Sequence, residues 1–342
     1  MSSHSGISMV FMGSDPLALP SLELIWGRRN DFPIRAVYTQ PDRPHGRGRK
    51  IRPSRVKTWA LERGIAVQQP ASFSASAISL LRELNPDLIL VMAYGHILPQ
   101  PVLDVPALGI YNLHLSLLPK LRGASPVESA IVSGERVTGI SLMRLVLQLD
   151  AGPIIDQEVV PIDEEDTGGS LLEKLSAASP VLLERNLEGL SKGRCAESPQ
   201  SESEATYCRM MIKKDGQLDF AKPAAQLARR IRGLNPWPGC FARLGDTVLK
   251  IGHATHRRGM TPGNFGQVLS MGAEGLEVAT GDGVLILKSL QKPGGRLLPV
   301  NEFARGFLLQ PGDCFAGGKM YPLVSKKPIS QKRFFQLDNK TC

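Results

Sequence analysis

Two polar side chains that could support oxyanion binding and proton transfer stand at the end of an apolar run about a third of the way along the chain. The run Gly109 to His114 has β-strand character, and side chains two residues apart in a strand point to the same face. Asn112 and His114 are therefore expected side by side, just before the chain breaks at Pro119 and Gly123. An amide can donate to an oxyanion, and imidazole can move a proton near neutral pH.

A third candidate, Asp150, lies in the stretch Leu149 to Gly152, between two segments that are predicted as strands, Thr138–Leu147 and Ile154–Val160. Asp ahead of Gly-Pro is also a good turn former, and in isolation that role would explain it. Beside Asn112 and His114 we interpret Asp150 as catalytic, because a carboxylate can stabilise an imidazolium or order a water that relays a proton.

Two other kinds of site are disfavoured at this place. Ser116 is not in a Gly-x-Ser-x-Gly elbow, so a serine hydrolase is not indicated. His114 and Asp150 have no evident third ligand, so no metal is predicted.

The elements that would position these residues form an α/β pattern. A strand at Ile7–Met12, a helix at Leu17–Arg28 and a strand at Ile34–Thr39 make a βαβ start, which predicts a Rossmann-like parallel sheet. Asp87–Met92 is a further buried strand, and strand ends of this kind are where open α/β sheets bind ligands. Gly13 is not part of a Gly-x-Gly-x-x-Gly motif, so a dinucleotide site is not indicated. For His96, which follows the later strand, a structural or rim role is favoured.

A strongly basic segment follows the second predicted strand. Between Arg43 and Lys57 there are seven Lys or Arg residues and no acidic residue, among them Arg43, Arg47, Arg49 and Lys50. The prolines and glycines of residues 40–53 predict that the segment forms no regular structure. It is either a solvated loop or a flexible arm that binds a phosphate backbone.

Composition is typical of an ordinary soluble protein of about two domains, with 342 residues, 42% hydrophobic and 21% charged. No signal peptide is recognised at the start, and no apolar run of about 18 residues predicts a membrane span. The five cysteines are scattered, odd in number and without Cys-x-x-Cys. Disulfides and a zinc site are therefore not expected, and a reducing cytoplasm is favoured.

Charge divides the chain unevenly. Residues 1–207 hold 20 Lys+Arg and 23 Asp+Glu, whereas residues 208–342 hold 21 and 9. Such asymmetry favours a polyanionic partner for the second half, although a basic surface kept for solubility is the alternative. We predict a first domain at 1–196, a Ser/Glu-rich linker at 197–210, and a second domain at 211–342.

The second half begins with a helix expected at Pro223–Gly233. Short strands follow, beginning with Val248–Ile251, and Gly-rich turns separate them. This pattern predicts a small β-barrel of the OB type, a fold that often binds oligonucleotides.

Six motifs resemble, in order, those of the methionyl-tRNA formyltransferase family within the 10-formyltetrahydrofolate-dependent formyltransferases. They are Gly13-Ser14-Asp15-Pro16, Gln40-Pro41-Asp42-Arg43-Pro44 with its Gly-Arg-Gly, Ala93-Tyr94-Gly95, Asn112 to Pro126, Leu149 to Gly152, and Arg232-x-x-Asn-Pro-Trp-Pro. The catalytic motifs are shared by other folate formyl enzymes, whereas the basic loop and the basic second half resemble the tRNA-specific members. Arg144 departs from the pattern, since the family often has Gln there.

The resemblance implies a Rossmann-like domain followed by an OB-like barrel. It implies that the formyl group of 10-formyltetrahydrofolate, the cosubstrate, passes to the amino group of methionyl initiator tRNA, without a metal. Asn112, His114 and Asp150 are then catalytic, and Ser116, Leu117, Leu118 and Pro119 belong to the folate pocket. The tRNA-binding residues are Arg43, Arg47, Arg49 and Lys50. A cytoplasmic monomer is expected.

Two other functions stay open at this stage. One is a folate formyltransferase that acts on a small amine, which would not need the basic second half. The other is a non-catalytic tRNA-binding protein of the same fold, which would not need the set Asn112, His114 and Asp150.

Overall fold

The computed structural model describes residues 6–45, 50–259 and 263–328. Its contacts divide the chain into two compact units. The first comprises residues up to 122, 138–160 and 172–205, and the second comprises 123–137, 161–171 and residues from 206 onward. No helix within the described ranges is long and apolar enough to cross a membrane.

The chain up to residue 191 contains both strands and helices. In chain order they are β1 (Met9–Gly13), a 3₁₀ turn (Pro16–Ala18), α1 (Leu19–Gly27), β2 (Ile34–Tyr38), β3 (Arg43–His45), β4 (Lys50–Arg52), α2 (Arg55–Glu62), β5 (Ala66–Gln68), α3 (Ala75–Glu83), β6 (Leu88–Met92), α4 (Gln100–Leu103), β7 (Ile110–His114), β8 (Arg122–Gly123), α5 (Pro126–Ser133), β9 (Val137–Arg144), β10 (Ile154–Pro161) and α6 (Gly168–Ser191).

A seven-stranded sheet with the order β10-β9-β7-β6-β1-β2-β5 forms the centre of the first unit. The strands from β7 to β5 run parallel to their neighbours, and β9 runs antiparallel to β7. β1 and β6 are buried along their whole length, as their continuous apolar sequences require of central parallel strands. The predicted parallel α/β sheet is confirmed. Its order reverses at β1 and β6, so the carboxyl ends of these strands open a crevice.

The basic segment corrects one expectation, because it is partly regular. β3 and β4 form an antiparallel pair in which Arg43 faces Arg52 and Pro44 faces Ile51. A two-stranded pair has only edge strands, and there a proline's missing N–H can face away from the partner. Arg47 and Arg49 lie outside the described residues.

The second unit is dominated by antiparallel strands. In chain order the elements after α6 are β11 (Tyr207–Cys208), a 3₁₀ turn (Lys213–Gly216), α7 (Ala224–Gly233), β12 (Cys240–Leu244), β13 (Thr247–Arg257), β14 (Val268–Gly272), β15 (Gly275–Ala279), β16 (Val284–Gln291), β17 (Leu298–Pro299), α8 (Val300–Phe303), β18 (Phe315–Ala316) and β19 (Val324–Ser325).

Its main sheet has the order β14-β15-β16-β13-β12-β18, with β17 paired to β16. Neighbouring strands are antiparallel. α7 packs against β13, and its Leu227 and Ile231 join Leu249, Leu285 and Leu287 in one apolar core. The expectation of short strands in the second half is confirmed, and the structure adds that they pair antiparallel. The OB assignment stays a prediction.

Candidate active site

β7 carries the first two candidate residues at its carboxyl end. It lies between β6 and β9, with Asn112 opposite Val91 on one side and Met143 on the other. Asn112 is half-buried and His114 is buried. Because the two residues are separated by one position on a strand, their side chains leave the same face. The predicted strand end is therefore where the structure places the pair.

The two ring nitrogens of His114 have different neighbours. Nε2 lies 3.0 Å from the Leu121 carbonyl oxygen, which can only accept a hydrogen bond. This contact assigns a proton to Nε2. Nδ1 lies 3.7 Å from Oδ2 of Asp150, in a place where the two side chains are 7% and 13% exposed. Since Nε2 carries a proton, Nδ1 is the ring nitrogen that faces the Asp150 carboxylate.

Asp150 is held in a tight turn between β9 and β10. Its φ of +47° is in the left-handed region, which Asp adopts more readily than most residues. A Cβ on Gly152 would stand 1.8 Å from the Arg144 carbonyl oxygen, so only glycine fits there. Gln200 donates from Nε2 to the carbonyl oxygens of Asp150 at 2.8 Å and of Gly152 at 2.7 Å. The Leu149–Gly152 motif is thus a turn that carries a carboxylate to the imidazole.

The predicted folate segment forms the loop directly after β7. Ser116 and Leu118 are buried, Leu117 and Pro119 are half-buried, and the peptide bond before Pro119 is cis. The Ser116 hydroxyl donates to the Lys120 carbonyl at 2.7 Å, so it closes this loop.

Two side chains from β9 and β10 hold the same loop from outside. The Ser141 hydroxyl donates to the Ser116 carbonyl at 2.7 Å and accepts from the Leu118 N–H at 3.0 Å. Gln157 donates to the Leu118 carbonyl and to the Ser141 oxygen. These bonds use the one donor and both acceptor sites of the Ser141 hydroxyl. Ser141 and Gln157 therefore shape the loop, a role that the sequence did not predict.

A cavity of about 510 Å³ adjoins the Asp150 turn. Its lining includes Leu103 and Ile110 on one side and the chain from Arg144 to Gln148 and from Ala151 to Pro153 on the other. Leu147 and Leu149, in or beside this lining, are 62% and 54% exposed. None of the residues Ser116 to Pro119 lines it. The cavity is therefore lined by apolar side chains and by part of the turn that carries Asp150, one of the candidate catalytic groups.

Polar contacts anchor the basic segment at its root. Lys57 donates to Asp42 and to Gln69, each at 2.7 Å, and Gln69 donates to Asp42 at 2.8 Å and to the Gln40 carbonyl at 2.7 Å. These bonds, from Lys57 first and Gln69 second, hold the pKa of Asp42 below its usual range. Arg43 is exposed and bonds to the Gln40 side chain. Lys57 therefore stabilises the fold at the base of the segment, although it is one of the seven basic residues between Arg43 and Lys57.

His96 belongs to an aromatic cluster. Its ring centroid lies 5.1 Å from that of Tyr94 and 6.5 Å from that of Phe73. Burial first, and then the charge of Arg43, lower the pKa of His96. The ring is thus favoured in its neutral form, which suits the structural role expected of it.

Two family models match the chain. The model described as "Formyl transferase" matches residues 23–187, and the one described as "Formyl transferase, C-terminal domain" matches residues 210–308. The chain belongs to the formyl transferase family. The first match contains Asn112, His114 and Asp150, so the geometry above lies within a formyl transferase domain.

Curated relatives extend the likeness over both parts of the chain. A methionyl-tRNA formyltransferase of Pseudomonas fluorescens is 42% identical over 297 residues, which cover 86% of this chain and 92% of the relative. The methionyl-tRNA formyltransferase of Moorella thermoacetica is 40% identical over 306 residues, with coverages of 89% and 98%. Relatives of nearly the same length thus share the whole formyl transferase arrangement.

Solved structures with lower identity share the fold. A sugar 3N-formyl transferase, WlaRD, solved with dTDP and 5-N-formyl-THF, has a TM-score of 0.63 and 19% identity, and covers 85% of this chain and 99% of its own. An N-formyltransferase from Helicobacter canadensis, in complex with folinic acid and dTDP-3-aminofucose, has a TM-score of 0.61 and 17% identity, with coverages of 82% and 99%. Among the described residues of this chain, no group of three or more His, Cys, Asp or Glu residues could hold a metal.

Proposed function

We propose that this chain transfers the formyl group of 10-formyltetrahydrofolate to the free amino group of methionyl initiator tRNA. The observation that carries the proposal is the 40–42% identity to methionyl-tRNA formyltransferases over 86–89% of this chain, the basic C-terminal part included. The proposal includes Asn112, His114 and Asp150 as the catalytic residues.

Formyl transfer needs a group that stabilises an oxyanion and a group that moves a proton. The amine lone pair forms a bond to the formyl carbon, and the C=O π pair moves onto oxygen. The C=O bond then re-forms as the bond to the folate nitrogen breaks, and the proton lost by the ammonium neutralises that nitrogen. The half-buried Asn112 amide is the proposed donor to the oxyanion.

His114 is the proposed carrier of the proton. Because its Nε2 is engaged with the Leu121 carbonyl, Nδ1 is assigned as the atom that accepts the proton. Asp150, whose Oδ2 is 3.7 Å from Nδ1, would stabilise the imidazolium that results. At this distance the two atoms are too far apart for a direct hydrogen bond. Binding of the substrate can shorten such a distance.

The cavity beside the Asp150 turn is proposed to receive the cosubstrate. Its lining combines apolar residues such as Leu103 and Ile110 with polar ones such as Gln148, which suits a flat heterocycle. Leu147, which is 62% exposed, would lose exposed apolar surface on binding. The segment Ser116–Pro119, which lies after β7, stays assigned to the folate pocket as part of this proposal.

The basic residues Arg43, Arg47, Arg49 and Lys50 are proposed to bind the tRNA. Arg43 is exposed, so the described start of the segment is compatible with a contact to phosphates. Domain boundaries at 1–196, 197–210 and 211–342 also stay predictions, and so do a monomeric state and a cytoplasmic location.

The test is a formylation assay with purified protein and 10-formyltetrahydrofolate. Methionyl initiator tRNA is expected to be formylated, whereas methionyl elongator tRNA and a nucleotide-linked amino sugar should react at a small fraction of that rate. Formylation of the amino sugar without reaction of the tRNA would refute the proposal and favour a small-amine formyltransferase. Reaction of neither acceptor, with tRNA still bound, would favour a non-catalytic binding protein.

A further inference from the structure

We propose that Gln200 is a positioning residue that sets the geometry between His114 and Asp150. The inference rests on the function proposed above, since it concerns the same catalytic pair. Gln200 lies in the Ser/Glu-rich stretch that the sequence suggests is a linker, and no motif of the sequence marks it.

The side chain of Gln200 uses both ends of its amide. Nε2 donates to the carbonyl oxygens of Asp150 at 2.8 Å and Gly152 at 2.7 Å, on either side of Ala151. Oε1 accepts from Nε of Arg122 at 3.0 Å. One half-buried side chain therefore joins the turn that carries the carboxylate to the loop that follows β7.

These contacts connect the two residues that lie on either side of the His114 imidazole. On one side, His114 Nε2 donates to the carbonyl of Leu121, whose next residue is Arg122. On the other side, Nδ1 faces Asp150. Arg122 is 1% exposed and also pairs with Glu202 at 2.8 Å, so the anchor for Gln200 is itself fixed. The distance between Nδ1 and Oδ2 thus depends on two loops that Gln200 holds together.

Backbone strain explains why the turn needs such a restraint. Asp150 and Leu121 have φ values of +47° and +59°, which non-glycine residues adopt at a cost. Conformations of this kind persist when surrounding contacts enforce them. Two hydrogen bonds from one amide across Asp150 and Gly152 supply that enforcement on the carboxylate side.

Two substitutions separate the donor function from the acceptor function. Gln200→Met removes both at similar length, whereas Gln200→Glu keeps an acceptor for Arg122 but places a carboxylate oxygen against two carbonyl oxygens. Glu204→Met, at an exposed position in the same stretch, is the matched control. Both Gln200 variants are expected to lower kcat about tenfold or more, with KM for tRNA and folate affinity near wild type, because misplacement by ~1 Å can cost up to about a hundredfold.

The deciding measurement combines Gln200→Met with Asp150→Asn. If Gln200 acts through Asp150, Gln200→Met should lower kcat by less than about threefold in the Asp150→Asn background, since coupled positions are not additive. An equal loss in both backgrounds would overturn the proposal. If Gln200→Met does not fold, Gln200→Glu in the same two backgrounds gives the same decision.

A crystal structure of the Gln200→Met variant tests the inference without any acceptor. The Nδ1–Oδ2 distance is expected to differ from that of wild type, and an unchanged distance would refute the positioning role. Because this result does not depend on turnover, it stays decisive even if wild type fails to formylate tRNA, an outcome that would refute the proposed function instead.

Discussion

Gly152→Ala is expected to inactivate the enzyme while leaving it folded. The added Cβ would lie 1.8 Å from the Arg144 carbonyl oxygen, whereas real Cβ contacts are essentially never under 3.0 Å. The obstacle is a backbone atom of β9 that cannot rotate away. The turn must therefore move by roughly 1 Å, and Asp150 lies only two residues earlier in that turn.

The expected magnitude follows from this displacement. Reacting groups misplaced by ~1 Å typically lose about a hundredfold in rate, so kcat should fall by ~10² while tRNA binding is kept. The matched control is Gly27→Ala at the end of α1, where a Cβ would meet nothing within 4 Å. That variant should keep full activity, since Ala is also better tolerated than Gly in a helix.

The assay is single-turnover formylation of methionyl-tRNA at saturating folate, with a thermal melt and a crystal structure of each variant. Activity of Gly152→Ala within about threefold of wild type, together with a crystal structure in which the turn has moved, would contradict this expectation. It would mean that the position of Asp150 relative to His114 does not limit the reaction.

Three further predictions concern the proposed catalytic residues and the basic segment. Asn112→Ala, His114→Ala and Asp150→Ala should each lower turnover by ~10² or more, with melting temperatures near wild type, and near-normal turnover in any of them would show a wrong assignment. Arg47→Ala should reduce the slope of log K for tRNA against log salt concentration by about one unit. Lys57→Met should weaken tRNA binding with that slope unchanged, because Lys57 bonds to Asp42 and Gln69. A lower slope for Lys57→Met would show that Lys57 contacts the phosphates. Because the pKa of Asp42 is lowered in the folded state, its contribution to stability should be present at neutral pH and lost as pH falls through that lowered pKa. The difference in melting temperature between wild type and Asp42→Asn should therefore shrink as pH falls below about 4, and a constant difference would contradict the pairing.

The sheet could be predicted from sequence because its central strands are continuous apolar runs. The expected strands Ile34–Thr39 and Asp87–Met92 agree with β2 and β6 to within one residue at either end. β5 was missed because its three residues at the edge of the sheet, Ala66–Gln68, carry almost no apolar pattern. Apolar sequence marks strands that are buried on both faces and gives little signal for an edge.

One strand was predicted too short because a glycine that allows close packing was taken as the start of a turn. The strand expected at Val248–Ile251 continues as β13 to Arg257. The prediction stopped at Gly252, where the register shifts and where a Cβ would meet Leu297 at 2.5 Å. A bulge that needs glycine looks like a turn in sequence, because both require a residue without a side chain.

Of the candidate site, only the residues proposed to be catalytic could be predicted from the sequence. Asn112 and His114 have local spacing on a strand, and Asp150 stands in a recognisable motif. Gln200, Ser141 and Gln157 have no such signal, because each acts on backbone carbonyls or N–H groups of a distant loop. The cavity was missed for a similar reason, since much of its lining is an irregular stretch from Arg144 to Gln148.

Only part of the positive charge of the second half lies on the surface. Arg209 and Arg230 are each 2% exposed, and Arg209 donates to the buried carboxylate of Asp215 at 2.7 Å. Burial lowers the pKa of Arg230, whose Nε donates to the Asp215 carbonyl. These arginines hold the second unit together and cannot also neutralise a phosphate backbone.

A polyanionic partner would therefore be attracted by the exposed cations, which include Lys213, Arg243, Lys250, Lys292 and Arg296. Arg243 and Lys250 stand on neighbouring strands, β12 and β13, where Arg243 pairs with Val248 two residues before Lys250. Cations on adjacent strands of one sheet can follow a phosphate backbone, whereas the buried arginines only add to the net charge. The +12 balance of residues 208–342 overstates the attraction for tRNA, and the surface that could exert it is narrower than the sequence suggests.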